Sequence, residues 1–156
     1  MKINIVCVGN IKEKFYVDAV NEYVKRLSKY HNVNIVEVAE SKLPKNASPK
    51  EIEISKVNES KLLQNNVKGY VILLDIGGKR YDSVGFSKYL YGLTNNYHEV
   101  SFVIGGSNGV SDEFRASANA KLSFSDFTFP HQLMRVVLME QLYRATTIAN
   151  NITYHK

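Results

Sequence analysis

Cysteine is almost missing from this chain, and long apolar runs are missing altogether. The single Cys7 has no second thiol to join, so no disulfide framework is available, and inside a strand-like run a thiol more often fills space than reacts. No segment approaches the roughly 20 apolar residues that a membrane-spanning helix needs. The scattered histidines, His31, His98, His131 and His155, offer no metal-ligand spacing with that cysteine, and no Ser-His-Asp arrangement can be drawn from them. No GxGxxG fingerprint follows the first strand and no phosphate loop ends in GK[ST], which argues against the common dinucleotide and nucleoside-triphosphate folds. There is no internal repeat and no low-complexity tract. The opening MKINIVCVGN is too short an apolar run for an export signal and is followed at once by Lys12, Glu13 and Lys14. It reads as a first strand, and a cytosolic home is expected.

What is present fits one domain. At 156 residues the chain can bury roughly two-thirds of its unfolded surface without staples. A net charge of +5 and a pI near 9.2 favour an anionic partner. The cations are interleaved with acids, however, so charge alone describes an ordinary solvated face equally well.

Strand-type runs occur at Ile3–Val8, Val33–Val38, Tyr70–Asp75 and Val100–Ile104, with a shorter one at Lys121–Phe124. Several are apolar nearly throughout, as strands covered on both faces are. Between them lie helical patterns. Tyr16, Val20, Tyr23, Leu27 and Tyr30 form one apolar stripe, Ser48-Pro49 with Glu51 has the form of a capping box, and Ser83 and Ser111 are candidate helix starts. The alternation predicts an α/β fold with a mostly parallel sheet flanked by helices, with 40–50 as its most flexible connection.

Two segments of the last third carry the chemistry. The turn Gly105-Gly106-Ser107-Asn108-Gly109 follows an apolar strand, where glycines let the backbone approach a ligand. The loop Phe124-Ser125-Asp126-Phe127-Thr128-Phe129-Pro130 mixes rings that are costly to leave in water with polar groups that are costly to bury unpartnered. A flat ligand with hydrogen-bonding edges satisfies both, but so does a tight turn beside rings packed on the core. The helix that follows, about 131–150, is apolar on more than one face and predicts a second burying surface, most simply another copy of the chain about a two-fold axis.

The stretches VIGGSNG and LSFSDFTFPHQLMRVVLMEQLYRA and the terminal TYHK resemble the RlmH-type ribosomal RNA methyltransferases of the SPOUT class, and the similarity runs from the first strand to the last residue. The resemblance implies a trefoil knot in the C-terminal third, a homodimer, and S-adenosylmethionine bound in bent form between the knot loops without a metal. It implies a reaction at N3 of a pseudouridine in the RNA of the large ribosomal subunit. Carried over, the cofactor site comprises Leu74, Gly105, Phe124, Ser125, Asp126, Phe127, Thr128 and Phe129. On the RNA side the resemblance points to the tail. His155 is the candidate base, histidine being the side chain whose unperturbed form changes charge near neutral pH; Tyr154 can stack on or hydrogen-bond a base, and Lys156 can fix the chain end or meet RNA. By position alone such a tail reads as frayed and functionless. Arg135 and Arg144 are candidates either for phosphate contact or for pairing with Glu140. A non-catalytic RNA-binding module with an empty pocket is the competing reading, and a nucleotide-dependent oxidoreductase a weaker one.

Overall fold

The computed structural model describes residues 1–156. Strands and helices alternate from end to end: β1 (Lys2–Val8), α1 (Lys14–Leu27), β2 (Asn32–Val38), α2 (Pro49–Asn66), β3 (Tyr70–Arg80), α3 (Ser83–Leu93), β4 (Glu99–Ile104), α4 (Asp112–Ser117), β5 (Ala120–Ser123) and α5 (His131–Ala149). The strands make one sheet in the order β2-β1-β4-β3-β5, and every neighbouring pair is parallel.

Two-residue periodicity divides the core. Ile3, Ile5, Cys7, Phe102 and Ile104 face α1, α3 and α5, where Leu27, Phe86, Leu90, Leu138, Met139 and Leu142 close the layer. Val6, Val8 and Val103 face the other way, against Leu63 of α2 and Phe114 of α4. Cys7 has no exposed surface, and burial pushes its thiol up to about 12, so it fills space and stays protonated.

The Ser48 helix start forms as the sequence predicts. Ser48 Oγ accepts the Glu51 amide at 3.2 Å while the Ser48 amide donates to Glu51 Oε2 at 3.3 Å. Ser111 caps α4 by accepting the Phe114 amide. The cap of α3 is Asp82 rather than Ser83, because the Asp82 carboxylate receives the Gly85 amide at 2.6 Å.

β3 departs from expectation most. The sequence ends it at Asp75, yet its pairing with β5 resumes after a break, with Leu74 and Lys79 both opposite Leu122. Residues 75–78 therefore loop out of the ladder. Gly78 makes this feasible: a Cβ there would stand 2.6 Å from the Leu122 amide nitrogen.

α5 is half buried. Leu138, Met139, Leu142 and Ala145 are sealed into the core, whereas Leu133, Met134, Val136, Val137 and Tyr143 keep part of their surface exposed. A partly uncovered apolar flank remains on the monomer.

Candidate active site

Three loops meet outside the carboxyl ends of β3, β4 and β5, and they enclose a cavity of about 750 Å³. The looped-out segment of β3 forms one wall with Leu74, Asp75 and Ile76; the turn 105–109 forms the second; Phe124, Ser125, Phe127, Thr128 and Phe129 form the third. His131 and Met134, at the start of α5, complete the lining.

Each wall has a local cause. Asp75 Oδ1 accepts the Gly77 amide at 3.0 Å, and Asp75 Oδ2 receives Arg115 Nε at 2.6 Å, so the β3 loop is fastened to α4. In the glycine turn the Gly109 amide donates to Gly106 O at 2.9 Å, and Gly109 takes a φ of +79°. At Gly105 space is tight instead, since a Cβ there would lie 3.0 Å from Val110 Cγ1 and 3.3 Å from the Gly109 carbonyl carbon. In the third loop Ser125 Oγ accepts the Phe127 amide at 3.0 Å and Ser123 Oγ donates to Ser125 O at 3.2 Å. Phe124 packs edge-on against Phe86 of α3, while Phe127 is 79% exposed at the rim. One aromatic of the loop is thus committed to the core and another is not.

The sequence-predicted residues divide accordingly. Leu74, Gly105, Phe124, Ser125, Phe127, Thr128 and Phe129 come together around the cavity. Asp126 does not line it; its exposed carboxylate pairs with Arg80 on the far side of the β3 loop. Asp75, Ile76, His131 and Met134 line the cavity without having been expected to. The Gly77-Gly78 pair was the available signal for the first two.

Arg135 requires a correction. A phosphate contact was among its expected roles, but its side chain is 2% exposed. One end of the guanidinium donates to Glu37 Oε2 at 2.5 Å, and the other donates to Gly9 O at 2.5 Å. A buried cation needs such partners, and these are the carboxyl ends of β1 and β2 rather than Glu140. Arg135 therefore pins the start of α5 to the opposite side of the sheet from β5, and the 124–130 loop must cross in front of the strands to reach it.

Arg144 instead pairs with Glu140, as the second of its expected roles has it, with Arg144 Nε donating at 3.0 Å. The tail folds onto that pair. Tyr154 lies edge-on against Tyr143, its ring lies under the Arg144 guanidinium at 4.8 Å, and its hydroxyl donates to Glu140 at 3.1 Å. Burial, then hydrogen bonding to Tyr23, pushes the Tyr154 hydroxyl up to about 12. Arg144 Nη1 donates to His155 Nδ1 at 3.3 Å, so the ring presents its other nitrogen as the N–H. Lys156 is exposed.

A family model described as "Predicted SPOUT methyltransferase" matches residues 1–155. The chain belongs to the SPOUT methyltransferase family. Its SPOUT relatives include the "Ribosomal RNA large subunit methyltransferase H" of Clostridium botulinum (strain Kyoto / Type A2), 51% identical over 160 residues that span all of both chains. The protein of the same description from Clostridium beijerinckii is 47% identical, again over both full chains. Among solved structures, a probable methylase family protein from Haemophilus influenzae superposes with a TM-score of 0.52, covering 99% of this chain and 70% of that one. A tRNA (m1G37) methyltransferase from Aquifex aeolicus gives the same TM-score over 92% of this chain and 70% of its own. At 12% identity, both likenesses establish the SPOUT fold alone. Membership implies the trefoil knot that the family resemblance led us to expect.

Proposed function

We propose that this SPOUT protein transfers a methyl group from S-adenosylmethionine to N3 of a pseudouridine in large-subunit ribosomal RNA. The single observation behind this reading is the three-loop cavity, whose size and lining suit an adenosine-bearing ligand. Leu74, Ile104, Leu122, Phe124 and Met134 provide apolar surface for a flat ring, and the turn 105–109 provides backbone groups for its polar edges. A side chain at Gly105 would crowd Val110, which itself lines the cavity. The large-subunit RNA target follows the descriptions of the relatives, and the net charge of +5 suits it.

When bound, the sulfonium supplies an already activated methyl group. The chain's own residues have the remaining tasks of aligning the base and accepting the N3 proton. Tyr154 is held as a donor to Glu140 and serves to position rather than to abstract. His155 Nδ1 is engaged by Arg144, so His155 becomes a base only when the tail leaves that guanidinium. Met134 at the cavity and Arg144 under the tail are ten residues apart on α5, about 15 Å along its axis. A homodimer in which each tail serves the other subunit's cavity reconciles this distance with a role for His155. The uncovered flank of α5 is a suitable face for that pairing. No helix is long and apolar enough to cross a membrane, and we place the enzyme in the cytoplasm with its ribosomal substrate.

Incubation of ribosomes, isolated subunits and free RNA with labelled S-adenosylmethionine tests the reading, with mapping of the labelled nucleotide. Label on one pseudouridine of the large subunit is the expected result. Calorimetry without detectable S-adenosylmethionine binding refutes it and favours the non-catalytic RNA-binding module. His155→Ala lowers turnover on the particle by about a hundredfold if the ring takes the proton. Unchanged turnover removes it from the mechanism.

A further inference from the structure

A second hollow of about 460 Å³ lies behind the glycine-rich turn and shares Ser107 and Asn108 with the larger cavity. The two hollows therefore adjoin at this turn. The remaining walls come from Glu40 to Leu43, in the β2–α2 connection, and from Ser55 and Glu59 of α2. Leu43 is the one apolar residue among them, so the hollow suits a short polar chain rather than a ring.

Glu59 is the distinctive group. It is 5% exposed, and its Oε2 accepts the Ser41 amide at 2.9 Å. Its Oε1 faces the glycine turn so closely that a Cβ on Gly106 would come within 2.8 Å of it. No lysine or arginine lies within ion-pairing distance of this carboxylate. A buried carboxylate with a single amide donor is expensive to keep ionised. Burial accordingly holds the carboxyl above its ordinary range, partly opposed by the Ser41 amide. A cation delivered by a ligand relieves that cost.

We propose that the hollow receives the amino-acid end of the methyl donor, with Glu59 as counter-charge to its ammonium group. The inference rests on the S-adenosylmethionine reading above and extends it to residues outside the three loops. An α-amino acid is a zwitterion, and the hollow offers both signs: Glu59 for the ammonium, and Lys42 at the rim for the carboxylate.

Calorimetry on the full-length protein separates the subsite from the rest of the pocket through two thioether probes. S-adenosylhomocysteine carries the amino-acid end, and 5′-methylthioadenosine has the same nucleoside without it. Glu59→Gln keeps the shape and an acceptor for Ser41, and it should weaken S-adenosylhomocysteine by about tenfold or more while leaving methylthioadenosine unchanged. Lys42→Ala, a substitution at an exposed position, should produce a smaller loss of the same selectivity and guards against poor folding of the first variant. Equal weakening of both probes means that Glu59 only props the glycine turn, and overturns the proposal; so does unchanged affinity for both. Failure of the wild-type protein to bind either probe removes the donor reading itself, a result distinct from either of these.

Discussion

Acid should destabilise this fold through His31, a residue far from the chemistry. His31 is 7% exposed, at the end of the α1–β2 connection, with Nε2 at 3.1 Å from Thr146 Oγ1 and 3.2 Å from the Tyr91 hydroxyl. The Thr146 hydroxyl already donates to Leu142 O at 2.8 Å, so it can only accept from the ring. Nε2 donates to that hydroxyl or accepts from the Tyr91 hydroxyl, and with either tautomer buried Nδ1 is left without a partner. The protonated ring would carry its charge in the interior with an unsatisfied N–H at Nδ1. Burial, aided by the positive chain terminus at Met1, lowers the His31 pKa from 6.5 to about 4. Because the folded value is the lower one, the unfolded chain takes up the proton first. The stability is present at neutral pH, starts to be lost as pH falls through 6.5, and is lost in full below about 4. The difference is worth on the order of 3 kcal/mol, of which about 2 kcal/mol falls between pH 7 and pH 5. Urea unfolding at both pH values, for the wild type and for His31→Gln, isolates the effect from the carboxylates. The wild type should lose about 2 kcal/mol more than the variant over this interval. Equal losses would refute the reading that charging this buried ring opposes folding.

Other perturbations address the site and its supports. Gly105→Leu should abolish S-adenosylmethionine binding in calorimetry while the far-ultraviolet circular dichroism stays native, because the new side chain must displace Val110 and intrude on the cavity. Glu37→Ala strands the Arg135 guanidinium on a single carbonyl and should cost about 3 kcal/mol in urea unfolding. Ser48→Ala removes the side-chain acceptor of the α2 cap, leaving the Glu51 amide without it, and should cost about 1 kcal/mol by the same measurement, with cofactor affinity unchanged.

The alternation of apolar runs with capped helices made the layered sheet legible, because both periodicities are local properties of the chain. The two loops of the last third were legible for a related reason: glycines at a strand end and exposed rings among hydroxyls each pose a local conflict that folding must resolve. Arg135 was not legible. A cation on a helix reads as a solvated face, and its partner Glu37 is 98 residues away in the sequence. The loop in β3 was missed because Gly77-Gly78 looks like the end of a strand rather than an interruption, until the pairing with β5 is seen to resume. Glu59 carried no signal at all, since a glutamate in a polar helix is ordinary until its burial is known.

The position of α5 after all five strands sets the order in which capacity is acquired during synthesis. Leu138, Met139 and Leu142 complete one face of the interior, and Arg135 holds the crossing segment in place. A nascent polypeptide that stops before His131 retains every strand yet lacks both that face and the final rim of the ligand chamber. Chains that stop there should therefore neither sequester the donor nor compete for it, and competence should arrive with α5.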